Sequence, residues 1–470
     1  MKNKTVNEKK KISIINAIGY GFGQFSDTVA YQTFTFLTFT FYFSVVGLSV
    51  NFITIGFIIW AIWNSVNDPL LGTLSDRTST RFGKRRPYIY IAIGPLCIIL
   101  ILLFLPPITL DLMITRIFFI VIIFLFEFFY TMFGVNSKSL FPEIFQDLEQ
   151  RTKANTIRQV LNIIGLIFAF IFPTLFIPKL TEAKYFSNYG FTAVLIAIFI
   201  AIGLLIFIKF GIIERPEFSE DSKKAPSLLK SLKYSFRNKA FRTYIVAGLA
   251  NWYIWQLLPT IVPLYGEFVL NIGEGQTILL GLLLGMAFIS AAIFMFFWRW
   301  LIIKTGILKK GFMISMSIFI LTLIPLLFIS NIIIAFICFF LIGIGMSGSF
   351  MFIDLIIPAI IDYDELQTGV RREGGYFGIN AFIVRLSTIF IFLSISLVFN
   401  SVGWKVFDPV GTTEQTILGL RSLMSIFPII ALILAIISMS RFPINKEKYR
   451  EIQKEIEIIH DEKKKRIGIA

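Results

Sequence analysis

Histidine is almost missing from this 470-residue chain. The single one, His460, lies in a charged tail. Histidine-based proton transfer and histidine metal sites inside the apolar segments are therefore ruled out. Cysteine is nearly as scarce. Cys97 and Cys338 both fall within apolar runs, so a disulfide framework is not supported and both read as small buried side chains. Charge is thin as well: 16% of residues are Asp, Glu, Lys or Arg, against about 25% in soluble domains. No phosphate-cradling glycine loop supports direct ATP hydrolysis. No nucleophile–base pair or metal cluster stands out. These shortages exclude a soluble enzyme, a disordered chain and a coiled coil.

What is abundant is apolar. Such residues make up 56% of the chain, and the mean hydropathy is +0.78. At ~20 apolar residues per membrane-spanning helix, the composition caps the count at about thirteen spans. The 53 Phe residues suit a helical bundle whose lipid-facing surface is apolar all round. Apolar runs bounded by charge or turn residues predict twelve spans: 16–46, 51–74, 88–106, 115–141, 157–178 and 189–211, then 241–270, 276–303, 311–329, 332–361, 376–400 and 417–440. The expected fold is an all-α membrane protein of twelve transmembrane helices in two six-helix halves. Residues 1–211 form the first half, 212–240 a charged linker and 241–440 the second half, with 441–470 as a charged tail. For that tail, an amphipathic surface helix and a solvated segment are equally compatible with the pattern. Two packed halves around a midplane site are the signature of a transporter.

The net charge of +15 invites a nucleic-acid partner, but the charge sits in short loops and is explained by topology. With the N-terminus inside, 36 of the 44 basic residues fall on the cytoplasmic side. Only Arg116, Lys179, Lys184 and Lys405 face outward, and Lys138, Lys209, Arg385 and Arg421 lie within or at the ends of spans. That bias predicts a multi-pass cell-membrane protein with both termini cytoplasmic. The partner is the bilayer, not nucleic acid. The N-terminus MKNKTVNEKKK lacks a small-residue cleavage site and reads as a cytoplasmic cap.

The second span ends WAIWNSVNDPLLGTLSDRTSTRFGKRRPY. Asp68 is a carboxylate inside an apolar segment, where ionisation costs about 2.5–3.5 kcal/mol, so it should face the bundle interior. Asn64 lies one turn earlier on the same face. Pro69 loosens the helix locally and frees backbone carbonyls. A cation or proton site is one reading; a polar contact between helices is the other. Asp76, Arg77 and Arg81 in the following loop suit a latch that differs between conformations.

This stretch, N-D-P-x-x-G-x-x-x-D-R-T-x-x-R-x-G-x-x-R-P, resembles the glycoside–pentoside–hexuronide:cation symporters, the melibiose permease group of the major facilitator fold. IDYDELQTGVRREGG (361–375) and GFGQFSDTVAY (21–31) are similar to two further segments of that family. The resemblance implies sugar or glycoside uptake coupled to H⁺, Na⁺ or Li⁺, with no other cofactor. It places Asp27 at an acidic sugar-binding position and Asp68 at the coupling carboxylate. Arg385 falls where members carry a basic residue near both sites. Arg158, with Asp362 and Arg371, falls among the gating positions.

Two departures matter. Sodium-using members carry two acids four apart in span 2, and here the first is Asn64. A proton needs only one carboxyl, which favours H⁺ coupling. In span 4 the family's second sugar-binding acid aligns with Gly134, while the same stretch gains Asn136 and Lys138. Lys138 and Arg385 together suggest an anionic substrate such as a uronide or sulfonated sugar. The alternative is that Lys138 snorkels to the interface or pairs with Glu127 or Glu143. Asn251, Trp252, Trp255 and Gln256 in span 7, with Tyr130 and Asn380, suit a sugar wall, since aromatic faces stack on apolar C–H faces and amides fix hydroxyls. An interfacial belt is the competing reading of those aromatics. Rival functions are an amphiphile or lysolipid carrier of the same fold and a permease-like sensor that does not transport.

Overall fold

The computed structural model describes residues 13–78, 80, 83, 85–109, 111–145, 148–213, 235–369 and 373–466. Among the described residues all regular structure is helical. The first group of helices is α1 (Ile14–Thr40, continued by a π-helical turn Phe41–Val45), α2 (Val50–Arg77), α3 (Arg86–Leu103), α4 (Leu112–Ile144), α5 (Leu148–Phe176) and α6 (Phe186–Ile206). The second group is α7 (Lys239–Phe268), α8 (Ile278–Thr305), α9 (Leu308–Leu323), α10 (Ile332–Thr368), α11 (Glu373–Ser401), α12 (Glu414–Met424) and α13 (Ile426–Ser440). A tail helix, α14 (Lys446–Arg466), follows.

Helix starts are set by short polar side chains that take up otherwise unpaired backbone N–H groups. Asp111 caps α4, Asn238 caps α7 and Asn331 caps α10, accepting from the N–H groups of Met113, Ala240 and Ile333 at 2.7–2.9 Å. The run predicted at 417–440 is broken at Ser425, whose hydroxyl donates to the Leu323 carbonyl at 2.7 Å, so the last span is two stacked helices, α12 and α13. Eleven helical segments among the described residues are long and apolar enough to cross a membrane, with the α12–α13 pair counting as one. Helix α1 falls short on hydropathy because its Ser, Thr, Gln, Asp and Gly residues face neighbours rather than lipid. It packs on α5, α6 and α7, and most of its side chains are buried.

Packing divides the helices into α1–α6 and α7–α13, joined along a seam of α2 on α11, α5 on α8 and α1 on α7. At the end of the bundle opposite the termini this seam is closed. Phe57 and Phe392 stack at 3.8 Å, and Val50 N–H donates to the Lys405 carbonyl at 2.9 Å. Asn400 donates to Asn51 at 2.6 Å. A charged ladder continues it. Lys179 bonds Glu182 at 2.9 Å and Glu267 at 3.1 Å, while Lys184 bonds Glu182 and Glu274 at 2.8 Å each. Hydrogen bonds from Lys184 and Lys179 hold the Glu182 carboxyl below the usual carboxylate range, and Lys184 and Tyr185 do the same to Glu274. Both shifts are downward, so these two carboxylates keep their bonds through neutral pH and lose them as pH falls through the depressed values.

Helix α8 comes close to α5 because Gly281 has no side chain. A β-carbon there would sit 2.6 Å from the Phe170 carbonyl oxygen and 2.8 Å from Ile171 Cα. Gly281→Val should force this seam apart. The expected outcome is a severalfold faster reaction of a single cysteine placed at Thr277 with a water-soluble maleimide; unchanged labelling would show that the seam tolerates the side chain.

Candidate functional site

Two polar centres lie below the closed end. The first joins the helix groups. Arg385 of α11 reaches across to α2, where its guanidinium forms an ion pair with Asp68 Oδ2 and Nη1 donates to the Asn64 carbonyl at 2.6 Å. Pro69 lacks the N–H that would bond the Ser65 carbonyl one turn earlier, and Arg385 takes the carbonyl next to it, that of Asn64. Asp68 Oδ1 and the Asn64 side-chain oxygen are buried without a hydrogen-bond partner.

The second centre lies within the first helix group. Asp27 of α1 is 6% exposed. Its Oδ2 lies 3.8 Å from Lys138 Nζ and accepts from Gln24 Nε2 at 3.4 Å. Gln24 also donates to Asn162 of α5 at 3.3 Å, and Thr28 donates to the same Asn162 oxygen at 2.6 Å. Gly134 lies beside this pair. A β-carbon there would lie 3.4 Å from Asp27 Oδ1 and 3.7 Å from Lys138 Nζ. A larger acidic side chain at 134 would compete for the place of the lysine amine. The Lys138 side chain is 56% exposed, and its anionic neighbour is Asp27 rather than Glu127. Tyr130 stacks on Tyr31 at 5.2 Å and on Phe126 at 5.8 Å, flooring the centre with aromatic faces.

Other expected site residues scatter. Asn136 is fully buried and donates to its own helix at the Met132 carbonyl, 2.8 Å away, so it does not join Asp27. The span-7 wall is split. Asn251 and Trp255 line an apolar cavity among α7, α8, α9 and α10, with Trp255 edge-on to Phe350 and Phe288. Gln256 instead lines a small cavity on the seam with Thr35, Phe57 and Phe392, and accepts from Thr388 at 3.3 Å. Trp252 packs edge-on against Phe350, and Asn380 faces Gly248 of α7. Arg158 bonds Asn155 at 2.9 Å and covers the Phe141 ring. Asp362 accepts from Gln453 of the tail helix at 3.0 Å. Arg81 and Arg371 lie outside the described residues, as do the side chains of Asp76 and Arg77 at the end of α2.

Sequence reasoning missed Gln24, Asn162, Tyr31 and Asn67, and treated Glu127 only as a partner for Lys138. Glu127 is 1% exposed on α4, its Oε1 accepts from Thr131 at 2.9 Å, and its backbone carbonyl accepts from Asn67 of α2 at 3.3 Å. An acid in the run FLFEFFY was the available signal.

Two six-helix groups meeting along a seam, with an ion pair bridging it and a polar cluster beside it, define a membrane transporter of the major facilitator type. A family model described as MFS/sugar transport protein matches residues 19–446. The chain belongs to that family, and within it to the glycoside–pentoside–hexuronide:cation symporters. It is similar to the uncharacterized symporter YnaJ of Bacillus subtilis, 24% identical over 95% of this chain and 96% of that protein. It is equally similar, at 24%, to a putative sulfoquinovose importer of Salmonella typhimurium, covering 95% of this chain and 93% of the other. The sodium-dependent lysophosphatidylcholine symporter 1 of Gallus gallus is 24% identical over 85% of this chain and 81% of its own. Among solved structures, the nucleoside transporter NupG superposes with a TM-score of 0.65 at 15% identity, over 91% of this chain and 99% of that one.

Removing one partner of the Arg385–Asp68 pair should cost more than removing both. The two side chains are 23% and 25% exposed, so Arg385→Ala is expected to destabilise by about 1–3 kcal/mol, below the range for fully buried pairs. Asp68→Ala in the same chain should restore part of that loss, as read by the thermal midpoint of the purified protein. Simple additivity would show that the pair contributes no coupling.

Proposed function

We propose that the chain is a secondary active symporter that moves a sugar, glycoside or uronide together with a cation, H⁺ in preference to Na⁺, by alternating access in the cell membrane with both termini cytoplasmic. The observation that carries this reading is the Arg385–Asp68 pair, because it joins the two helix groups that must rock against each other. Substrate is held at Asp27, Gln24 and Asn162, whose oxygens and amides suit hydroxyl groups. Lys138 beside them favours an acidic sugar, since its exposed amine meets an anionic substituent. A cation moving down the membrane potential contributes about 2.3 kcal/mol per 100 mV, enough for about fiftyfold accumulation.

A second reading, carriage of an amphiphile, is favoured by the apolar cavity around Trp255 and Phe288, and the lysophosphatidylcholine symporter is a relative over 85% of this chain. An acyl chain would fill such a space, where a sugar would not.

Cells expressing the protein in lightly buffered medium should alkalinise it on addition of the right sugar, without Na⁺. Asp68→Asn should abolish uphill accumulation while sparing exchange. Uptake that strictly needs Na⁺ and moves no protons would reverse the assignment of the coupling ion. Lys138→Gln should raise the half-saturating concentration of an acidic sugar at least tenfold and leave neutral glycosides unchanged. Full uptake of the acidic sugar by that variant would remove Lys138 from the site.

A further inference from the structure

Glu127 is not used by the reading above, yet it is the most completely enclosed acid beside the seam. Its carboxyl sits at 1% exposure on α4. One oxygen, Oε1, accepts from the Thr131 hydroxyl at 2.9 Å; the other, Oε2, is buried with no hydrogen-bond partner. The facing stretch of α2 shows the same shortage. The side-chain oxygens of Asn64 and Asn67 and Oδ1 of Asp68 are also buried without a donor. The Asn67 amide ties this stretch to α4 by donating to the Glu127 carbonyl at 3.3 Å. Four acceptor oxygens thus lie on two joined helices with nothing positive assigned to them, and buried acceptors left unpaired each cost free energy.

The charges around them are unevenly shared. The groups that act on Glu127 are Arg385 from α11, Asp68 from α2, Thr131 and Lys138 from its own helix, and Tyr31 from α1 with Tyr130 of α4. Arg385 is committed to Asp68 and to the Asn64 carbonyl. Lys138 is committed to Asp27. Glu127 is left without a cation in contact.

We propose that Glu127 is a second coupling carboxylate, the one that takes up the coupling cation while Arg385 neutralises Asp68. The charge that Asn64 lacks on α2 is supplied from α4. With a proton as the cation, it passes from hydronium to Oε2, leaving water behind. A new O–H bond forms, and the group turns from an unpaired acceptor into a donor on the helix that Asn67 ties to α2. Release reverses the step and returns the proton to water. The carboxylate left behind is then bare in an apolar surround, which opposes reorientation of the empty carrier. This inference rests on the symport reading but is tested without a substrate.

The test is thermal unfolding of the purified full-length chain between pH 5 and 9 in choline chloride, and again with NaCl in its place. The wild-type midpoint should fall as pH rises, because the protonated form is the one the folded site accommodates. Glu127→Gln should flatten that fall, and Glu127→Asp should keep it at a lower midpoint. If Na⁺ is the cation that binds, NaCl should raise the wild-type midpoint and leave Glu127→Gln unmoved. A Glu127→Gln chain that responds to pH and Na⁺ as the wild type does overturns the proposal, as does a wild type that responds to neither. A normal cation response without flux of any tested sugar would instead count against the symport reading alone.

Discussion

An ionised side chain inside a membrane bundle must be neutralised, and the molecule is arranged around that requirement. Asp68 lies on a helix that would span hydrocarbon, and its compensating charge comes from Arg385 on the other helix group. The partner could have been placed on a neighbouring helix of the same group. Placing it across the seam ties the charge balance of α2 to the distance between the two groups. Any motion that parts them exposes a carboxylate and a guanidinium together. A change in charge on one side therefore changes the energy of the seam, which is the physical coupling a symporter needs.

The remaining contacts across the seam divide by polarity. At the end away from the termini, stacked phenylalanines, an asparagine pair and a lysine–glutamate ladder close the gap. Aromatic packing at Phe57 and Phe392 excludes water there. The ladder beyond it is solvent-screened and is worth little by itself, but it fixes the register of the α5–α6 and α7–α8 loops. Deeper in, the contact becomes the ion pair and hydrogen bond that Arg385 makes with α2. Tight apolar closure at one end of the seam is what an alternating-access carrier needs on the side it holds shut.

The Asp27 centre shows how one small residue redirects chemistry. Gly134 leaves space where an acidic residue would crowd Asp27, and the Lys138 amine lies against that space. An acid–base pair replaces an acid–acid clamp. Under the proposed function, Asp27, Gln24 and Asn162 would meet hydroxyl groups and Lys138 an anionic substituent.

Span positions were legible in the sequence, because hydrophobic length and the Lys/Arg distribution report directly on the energy of leaving water. Helix α1 was legible for the same reason, although its polar residues weaken the signal. The GFGQFSDTVAY and NDP motifs pointed to Asp27 and Asp68, and only the family resemblance pointed to Arg385. The partners were not legible. Lys138 had several possible acids within reach along the chain, and only the packing of α1 on α4 brings Asp27 to it. Asn136 and Asn251 read alike as polar residues in apolar runs. The rotation of each helix turned one back onto its own backbone and put the other on an apolar cavity. Glu127 carried no motif, and its enclosure comes from α2 and α4 meeting at Asn67. Composition and periodicity thus determined that this chain enters a membrane as a helical bundle, because burial from water depends on local sequence. Which charges meet inside that bundle depends on helix rotation and crossing, which are set by contacts between residues far apart in the chain, and only the tertiary structure decided it.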